Sequence, residues 1–274
     1  MKLLAIIICY NPDFDLLIKN IAAFYSKVDK LLIWDNSSNS TMELFVRNTL
    51  SDAKNIECVG DGINHGISYP LNFAWEYAKK QGYDALMTMD QDSVWQNFDD
   101  FLKAVQGDTE YELNLWGPET NQQISHVFHK EEKDFLITSG MIIPIKILDT
   151  IGGYPKNFFI DGIDIDICAK AKSKGFGIYC VKGCVLKQQF GSNLTFTFWG
   201  KTYPASNYNP QRLYGIFKNH IIIYRSTHSL AVLKLIKGYT VAFIRAILLF
   251  ENNKINKLQA IARGVKDAYC INYN

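Results

Sequence analysis

The 274-residue sequence lacks the signatures of several protein classes. Its six cysteines show no paired spacing of the kind that binds zinc and mostly lie in apolar runs, so reduced thiols in a cytosolic protein are the simplest interpretation. No stretch long enough to span a bilayer is free of charged residues. Repeats, linkers and low-complexity segments are absent too. What is present, 48% hydrophobic and 20% charged residues, is ordinary for a folded soluble protein.

The N-terminal segment is apolar, but it does not have the pattern of a secretion signal. The run from Leu3 to Cys9 is short, lacks a small-residue cleavage site and passes directly into Tyr10-Asn11-Pro12. A near-continuous apolar run of this length is typical of a strand that is covered on both faces. We therefore expect the chain to begin with a buried strand.

The first hundred residues alternate strand-like and helix-like segments, which favours a parallel sheet with right-handed crossovers. We expect a mixed, mostly parallel sheet flanked by helices. The predicted strands are Leu3–Cys9, Leu31–Trp34, Ile56–Val59 and Ala85–Met89, and the predicted helices begin at Pro12, Met42 and Ser68. Farther along, the sequence predicts loops and edge strands over Trp116–His129, a strand over Phe135–Pro144, a helix over Ile163–Lys174 and a strand over Phe176–Val181.

Aspartates cluster where the strands of this sheet would end. Asp90-Gln91-Asp92-Ser93 directly follows an apolar run, Asp35 follows the second strand, and Asp161, Asp164 and Asp166 open a later helix. Singly, such residues serve as helix caps or solvated first-turn residues. Together at one rim they are electrostatically costly unless a cation offsets them. Because Mg²⁺ and Mn²⁺ share their oxygen ligands with phosphates, the pattern predicts a cation and phosphate site.

An ordered set of motifs resembles the inverting family 2 glycosyltransferases of GT-A fold, and within them the bacterial rhamnosyltransferase-like branch. The resemblance covers about residues 3 to 225. It rests on Tyr10-Asn11-Pro12, Asp35-Asn36-Ser37-Ser38, Asn64-x-Gly66-Ile67, Asn72, Asp90-Gln91-Asp92-Ser93, Ser139-Gly140, Phe159-Ile160-Asp161-x-x-Asp164 and Arg212-x-Tyr214-x-x-x-Lys218-Asn219.

The resemblance implies a donor side with nucleotide and metal contacts. Asp35 would hydrogen-bond the base, and the region of Tyr10 would line the same pocket. Asn64 and Gly66 would lie in a loop that lets the backbone approach the nucleotide. Asp90 would contact the ribose or the water shell of the metal.

The metal implied by the resemblance is Mn²⁺ or Mg²⁺. Asp92 would ligate it on the diphosphate, with Asp90 close by. Gln188 stands where relatives often have a histidine ligand, and its neutral oxygen is a candidate ligand here. Arg212 is assigned to the donor, with a contact to the acceptor and a hinge into the C-terminal helices as alternatives.

The acceptor side is implied by the same resemblance. Ser139, Gly140 and Asp161 would lie near the acceptor, and Asp164 would be the general base that takes the proton of the acceptor hydroxyl. A first-turn position favours the ionised carboxylate. The expected reaction moves rhamnose from dTDP-rhamnose, or another sugar from a UDP-sugar, onto a surface polysaccharide or lipid-linked glycan precursor with inversion.

Two other functions remain as alternatives. A non-catalytic descendant that binds glycan or nucleotide in an assembly complex is compatible with Gln188 in place of a histidine. A sugar nucleotidyltransferase would need a Gly-rich, basic loop after the first strand, but the segment from Ile8 to Pro12 contains no glycine. The non-catalytic alternative is therefore the stronger of the two.

The C-terminal part of the chain is basic and apolar. From Lys218 onward nine Lys and Arg residues face two acidic ones, whereas the whole chain has a net charge of +2. We expect a glycosyltransferase domain at 1–225 and a basic amphipathic helical tail at 226–274. Such a tail suits an anionic membrane surface, the protein core or a second copy of the chain. We expect a cytoplasmic protein at the inner face of a bacterial membrane, without a nucleic-acid partner.

Overall fold

The computed structural model describes residues 1–38, 41–51, 53–125, 127–188, 194–198 and 200–270. Within these residues one nine-stranded mixed sheet and one two-stranded hairpin are present. The sheet contains β1 (Leu3–Cys9), β2 (Lys30–Asp35), β3 (Ile56–Val59), β4 (Ala85–Asp90), β5 (Ser93–Trp95), β6 (Asn114–Thr120), β7 (His129–Glu132), β8 (Met141–Pro144) and β9 (Gly177–Gln188). The hairpin consists of β10 (Leu194–Phe198) and β11 (Lys201–Ala205).

Helices cover both faces of the sheet, and three of them form the C-terminal part of the described chain. The helices are α1 (Phe14–Ala22), α2 (Thr41–Thr49), α3 (Ser68–Gln81), α4 (Phe98–Gly107), α5 (Ile145–Ile151), α6 (Ile163–Ser173), α7 (Pro210–Thr227), α8 (Leu230–Leu249) and α9 (Lys254–Cys270). None of the helices in these described ranges is both long enough and apolar enough to cross a membrane.

The strand order is β3-β2-β1-β4-β8-β6-β9-β5, with β7 paired to β9 outside this path. The first four strands are parallel, β8 runs antiparallel to both of its neighbours, and β6 and β9 are parallel. Cys9 lies opposite Asp35 and Ile8 lies opposite Asp90, so β1, β2 and β4 end at one edge. The prediction of a mostly parallel first half is confirmed, and it places the strand-end aspartates together.

Both faces of the sheet are buried, which explains the near-continuous apolar run of β1. Leu4 and Ile6 belong to one core cluster, whereas Leu3, Ala5 and Ile7 belong to a second cluster on the opposite face. Because successive side chains of a strand point to opposite faces, a strand with two covered faces needs apolar residues at every position. The apolar run of β1 therefore ends where the strand reaches the edge of the sheet. We call this edge, where β1, β2 and β4 end, the rim.

Three predicted elements differ from the structure. The predicted strand over Phe135–Pro144 was too long, because it begins only at Met141, after Gly140 has taken a positive φ of 79°. Instead of loops and edge strands alone, the segment from Trp116 contains most of β6, which lies between β8 and β9. Finally, β9 runs beyond the predicted end at Val181 as far as Gln188. That extension carries Gln188 to the rim.

The C-terminal helices pack closely on the rest of the chain. Gly264 of α9 lies against α7, with the Tyr214 carbonyl oxygen 2.6 Å from the position that a Cβ would take. Val232 and Ala268, which lie beyond the predicted boundary, belong to the same core cluster as Leu4. The division into 1–225 and 226–274 stays a prediction. The boundary itself falls inside α7.

Candidate active site

Three cavities lie around the residues singled out by the sequence. Cavity A, of about 320 Å³, is lined by the predicted site residues Tyr10, Asn64, Gly66 and Asp90. Cavity B, of about 300 Å³, is lined by Asp35 and its neighbours, including Ser37, Ser38 and Gly60. Cavity C, of about 440 Å³, is lined by Asp161, Arg212 and residues of α7. Cavities A and C share Phe159 and Ile160, which separate them.

Asp90 is held at the end of β4 by three side chains from distant parts of the chain. Its backbone N–H donates to Ser139 Oγ at 3.1 Å, and its carbonyl oxygen accepts from Asn20 Nδ2 at 2.8 Å. Its carboxylate accepts from Gln188 Nε2 at 2.7 Å. The orientation of Asp90 is therefore fixed from both its backbone and its side chain.

Asp90 also lies in an unfavourable electrostatic environment. Burial and, to a smaller extent, the carboxylates of Asp92 and Asp164 raise its pKa to about 7, against the opposing effect of the Gln188 hydrogen bond. Burial likewise raises the pKa of Asp92. Like charges that share a site disfavour ionisation unless a cation compensates them. The cluster is consequently set up to gain stability from a bound positive charge.

The residues at this rim fit a divalent cation that shares its coordination with phosphate. Asp90 and Asp92 supply carboxylate oxygens, and Gln188 Oε1 is buried and has no hydrogen-bond partner among the residues that the structure describes. Across the described residues, His, Cys, Asp and Glu form no group of three or more that would enclose a metal. Mg²⁺ and Mn²⁺ sites on nucleotides need few protein ligands, because phosphate oxygens and water complete the shell. The unpartnered oxygen of Gln188 supports its predicted place among the ligands.

Asp164 lies in the first turn of α6, where its Oδ1 accepts from the N–H of Ile165 at 2.9 Å. We expected this position to favour the ionised carboxylate. The backbone hydrogen bond does act in that direction, but burial outweighs it and raises the pKa of Asp164 to about 6. A carboxylate with such a pKa is still largely ionised at neutral pH and is a better proton acceptor than an ordinary aspartate.

Asn36 belongs to the motif Asp35-Asn36-Ser37-Ser38, but the sequence alone predicts no role for it at the site. Its side chain is buried and donates to the Gly66 carbonyl at 2.7 Å. Its Oδ1 accepts from Trp34 Nε1 and from the N–H of His65, both at 3.1 Å. Asn36 thus fastens the loop of residues 64–66 to the end of β2. A polar residue directly after a buried strand was the available signal.

Gly66 lies where two loops meet at cavity A. Its φ is +70°, and a Cβ at this position would collide with the carbonyl oxygen of Phe159. The same carbonyl accepts from the N–H of Ile67 at 2.8 Å, and Asn64 Oδ1 accepts from the Gly66 N–H at 2.9 Å. Only glycine allows this close approach, which joins the loop of residues 64–66 to the segment that precedes Asp161.

Tyr10 and Asp35 flank the parallel strand ends. Tyr10 has an exposed side chain, and its backbone N–H donates to Gln91 Oε1 at 2.7 Å. The Oδ1 of Asp35 accepts from the N–H of Ser37 at 2.8 Å, and the side chain of Asp35 borders cavity B. Asp35 and Tyr10 therefore border adjoining cavities rather than one pocket.

Ser139 and Gly140 were predicted to lie near the acceptor. Ser139 is fully buried, and its hydroxyl accepts from the N–H of Asp90. Gly140 donates to the Thr88 carbonyl at 2.7 Å, and a Cβ there would approach Trp95 and Pro118 within 2.9 Å. The contacts of this pair position Asp90, and their predicted contact with an acceptor stays a prediction.

Arg212 and Asp161 are brought together at cavity C. Arg212 Nη2 and Nε donate to Asp161 Oδ1 at 3.1 and 3.3 Å. Burial raises the pKa of Asp161, although Arg212 opposes the shift. Arg212 does not line cavity A with Asp90. The structure therefore groups Arg212 with the predicted acceptor residue Asp161, and not with the predicted donor residues to which we had assigned it.

This sheet, with carboxylates at the ends of parallel strands beside a cavity, has the GT-A fold of glycosyltransferases. The chain is similar to S. aureus TarS in complex with UDP-GlcNAc, with a TM-score of 0.65 and 12% identity over 98% of this chain and 82% of that chain. For the mannosyltransferase PcManGT from Pyrobaculum calidifontis, in complex with GDP-Man and Mn²⁺, the TM-score is 0.58 at 12% identity, covering 100% and 76%. For GalNAc-T7 with UDP, GalNAc and Mn²⁺, the TM-score is 0.59 at 9% identity. This match covers 82% of the present chain but only about half (48%) of the GalNAc-T7 chain.

One similarity in sequence extends over almost the whole chain. The chain is 21% identical to the dTDP-rhamnosyl transferase RfbF of Shigella flexneri over 287 residues, which cover 95% of this chain and 92% of that protein. No family model matches. The expected GT-A fold is confirmed, and the sequence and fold similarities together support a glycosyltransferase of GT-A type.

Proposed function

We propose that the chain is a metal-dependent, inverting glycosyltransferase that moves a sugar from a nucleotide-diphospho-sugar onto a hydroxyl group. The observation that carries this proposal is the rim cluster of Asp90, Asp92 and Asp164, with the unpartnered oxygen of Gln188 beside it and cavity A adjoining. This cluster has what a transferase of diphosphate-linked sugars needs: oxygen ligands for a cation and a separate carboxylate that can accept a proton.

The donor would lie across cavities A and B. Tyr10, Asn64 and Gly66 border cavity A, and Asp35 borders cavity B, where it would hydrogen-bond the base. Mn²⁺ or Mg²⁺, held by Asp92, Asp90 and the Gln188 oxygen, would neutralise the charge on the departing diphosphate. PcManGT and GalNAc-T7 are recorded with Mn²⁺ and nucleotides, which supports a divalent cation in this fold.

Asp164 would act as the general base on the acceptor side. The ionised carboxylate of Asp164 takes the proton of the acceptor hydroxyl. At the same time the hydroxyl oxygen attacks the anomeric carbon, and the bond from that carbon to the diphosphate breaks. Attack from the face opposite the leaving group inverts the anomeric configuration. The pKa of about 6 keeps Asp164 mostly ionised at neutral pH, so no additional base is required.

The donor sugar and the acceptor are proposed from the relatives. RfbF is described as a dTDP-rhamnosyl transferase, which favours dTDP-rhamnose, and TarS binds UDP-GlcNAc, which makes UDP-sugars the next choice. The acceptor would be a surface polysaccharide or a lipid-linked glycan precursor.

Release of nucleoside diphosphate from a panel of dTDP- and UDP-sugars tests the function. Each donor is incubated with Mn²⁺, with Mg²⁺ and with a chelator, and nucleotide binding is measured in parallel by calorimetry. Turnover of one donor that stops with chelator supports a metal-dependent transferase and identifies the sugar. Binding of nucleotide without turnover in the presence of a broad set of acceptors would favour the non-catalytic alternative. If no donor is turned over and no nucleotide binds, the transferase proposal is wrong, and the non-catalytic alternative that binds glycan is left.

We propose that α8 places the protein on an anionic membrane, which would position it near a lipid-linked acceptor. One stripe of α8, at helical spacing, is exposed and combines apolar with basic residues and no acidic ones: Leu230, Lys234, Lys237, Val241, Arg245 and Leu248. Apolar insertion combined with attraction to anionic lipid is the usual basis of interfacial binding.

Vesicle co-sedimentation tests this membrane contact with the full chain. Replacing Lys234 and Lys237 with Gln should weaken binding to anionic vesicles, and the matched exposed pair Lys103→Gln and Lys146→Gln should not. Equal binding of both variants, or none by the wild type, would contradict the proposal. A concentration-dependent dimer that the α8 variant abolishes would instead indicate a second copy on this face.

A further inference from the structure

We propose that cavity C binds the acceptor and that Lys218 selects acceptors carrying an anionic group, phosphoryl or carboxylate, next to the accepting sugar; this inference rests on the proposed transferase function. Cavity C lies between the segment of residues 157–161 and the first turns of α7. It shares the lining residues Phe159 and Ile160 with cavity A. Asp161 borders cavity C and is close enough to Asp164 for the two carboxylates to repel each other, so a ligand in cavity C would lie near the proposed base.

The two cations of cavity C differ in their partners. Arg212 is bonded to Asp161, and its guanidinium also lies over the Tyr208 ring at 4.1 Å. Lys218, which is half-buried, has no carboxylate within ion-pair distance in the described part of the chain. Its Nζ is 5.3 Å from the centre of the Tyr214 ring. The positive charge of Lys218 is thus left uncompensated at the cavity wall.

The surroundings of Lys218 add positive charge. The guanidinium of Arg263 in α9 also lies over the Tyr214 ring, 4.9 Å from its centre. The nearby Asp267 accepts from Tyr214 Oη at 2.9 Å. No acidic residue occupies the first turn of α7, whose N-terminus borders the cavity through Asn209 and adds a partial positive charge. A ligand bearing negative charge is therefore favoured over a neutral one.

Amide side chains supply the rest of the cavity wall. Asn219 donates to the Asp161 carbonyl at 2.7 Å, while its buried Oδ1 has no hydrogen-bond partner within the described part of the chain. Asn157 and Gln211 also line the cavity. Side-chain amides can donate to and accept from sugar hydroxyls. Cavity C thus combines side-chain amides that can bind sugar hydroxyls with an ammonium group whose charge is uncompensated. An anionic glycan acceptor needs both kinds of contact.

The test measures binding of three small probes to the full chain. Octyl glucoside, octyl glucuronide and octyl phosphate are titrated below their micelle concentrations, with the donor site saturated by Mn²⁺ and whichever of dTDP or UDP binds. At least one anionic probe should bind the wild type about tenfold tighter than the neutral probe, as expected for a charge-assisted contact. The stronger of the two anionic probes then identifies the group as phosphoryl or carboxylate.

Two variants with opposite expected effects make the test specific. Lys218→Gln should remove most of the preference for the anionic probe, whereas the matched surface variant Lys103→Gln should keep it. Asp161→Asn frees Arg212 from its carboxylate and should strengthen binding of the anionic probe several-fold relative to binding of the neutral probe. Equal binding of all three probes, or a preference that survives in Lys218→Gln, would overturn the inference. Because nucleotide binding is read separately, its loss would count against the donor site and not against cavity C.

Discussion

The proposed donor side and the proposed acceptor side of this candidate active site are built in different ways. On the proposed donor side, Tyr10 follows β1, and Asp35 and Asp90 end the neighbouring parallel strands β2 and β4, so the sheet itself aligns them. On the acceptor side, Asp161 and Arg212 come from segments 51 residues apart and meet through an ion pair. Strand ends give a site that a sequence can reveal, whereas a contact between a loop and a distant helix depends on packing.

The substitution Asp164→Asn should have the largest effect and should separate the two sides. Loss of a general base lowers kcat by about 10² to 10⁴, because the acceptor proton then has no carboxylate to receive it. The affinity for nucleotide should stay unchanged, since cavities A and B are lined by other residues. Steady-state kinetics and nucleotide titration measure both.

A suitable control for Asp164→Asn is Asp99→Asn, which changes an exposed first-turn residue of α4. It should have wild-type kcat. If Asp164→Asn keeps full activity as well, Asp164 is not the base, and the acceptor side must be reassigned.

The substitution Gly66→Ala should damage the donor side. A methyl group there meets the Phe159 carbonyl at a φ of +70°, so the two loops must separate. We expect the free energy of unfolding to fall by about 2 kcal/mol or more and the nucleotide affinity to fall by about tenfold. Gly62→Ala has a similar φ of +77° but nothing within 4 Å of its Cβ, so it isolates the backbone cost. Equal losses in both variants would mean that the contact between the loops is unimportant.

The pH dependence of kcat should report the buried base. Because the pKa of Asp164 is raised to about 6, lowering the pH through this value protonates the carboxylate and removes the base. At saturating donor and metal, kcat should be constant above this pKa and should fall about tenfold per pH unit below it. An ordinary aspartate would retain activity down to about pH 4. A flat profile between pH 5 and 7 would contradict the assigned role.

The substitution Ser139→Ala should have the smallest of these effects and should bear on the link between the two sides. It removes the acceptor of the Asp90 N–H, which is part-buried, and should lower the free energy of unfolding by about 1 kcal/mol. The affinity for Mn²⁺ should fall a few-fold, because Asp90 loses its orientation. Ser173→Ala, at the exposed end of α6, should leave both quantities unchanged. An unchanged metal affinity in Ser139→Ala would show that Asp90 is oriented by Gln188 and Asn20 alone.

Much of the fold was predictable because its signals are local. The apolar run of β1 and the alternation with helices predicted the parallel half correctly, since burial of both faces demands apolar residues at each position. The placement of Asp35 and Asp90 at one edge followed from this. The strand over Phe135–Pro144 was overextended, because an apolar pattern does not reveal where Gly140 turns the chain.

The sequence by itself determined the positions of the parallel strands β1 to β4 and the residue types of the rim, which depend on periodicity within short windows. Tertiary structure alone decided that Gln188 reaches Asp90 across 98 residues, that Arg212 joins Asp161, and that Lys218 has no carboxylate within ion-pair distance among the described residues. It also decided the raised pKa of Asp164, because burial of the carboxylate outweighs the backbone hydrogen bond at the start of α6. The physical reason is that desolvation and long-range pairing depend on which surfaces pack together, and no local pattern encodes that.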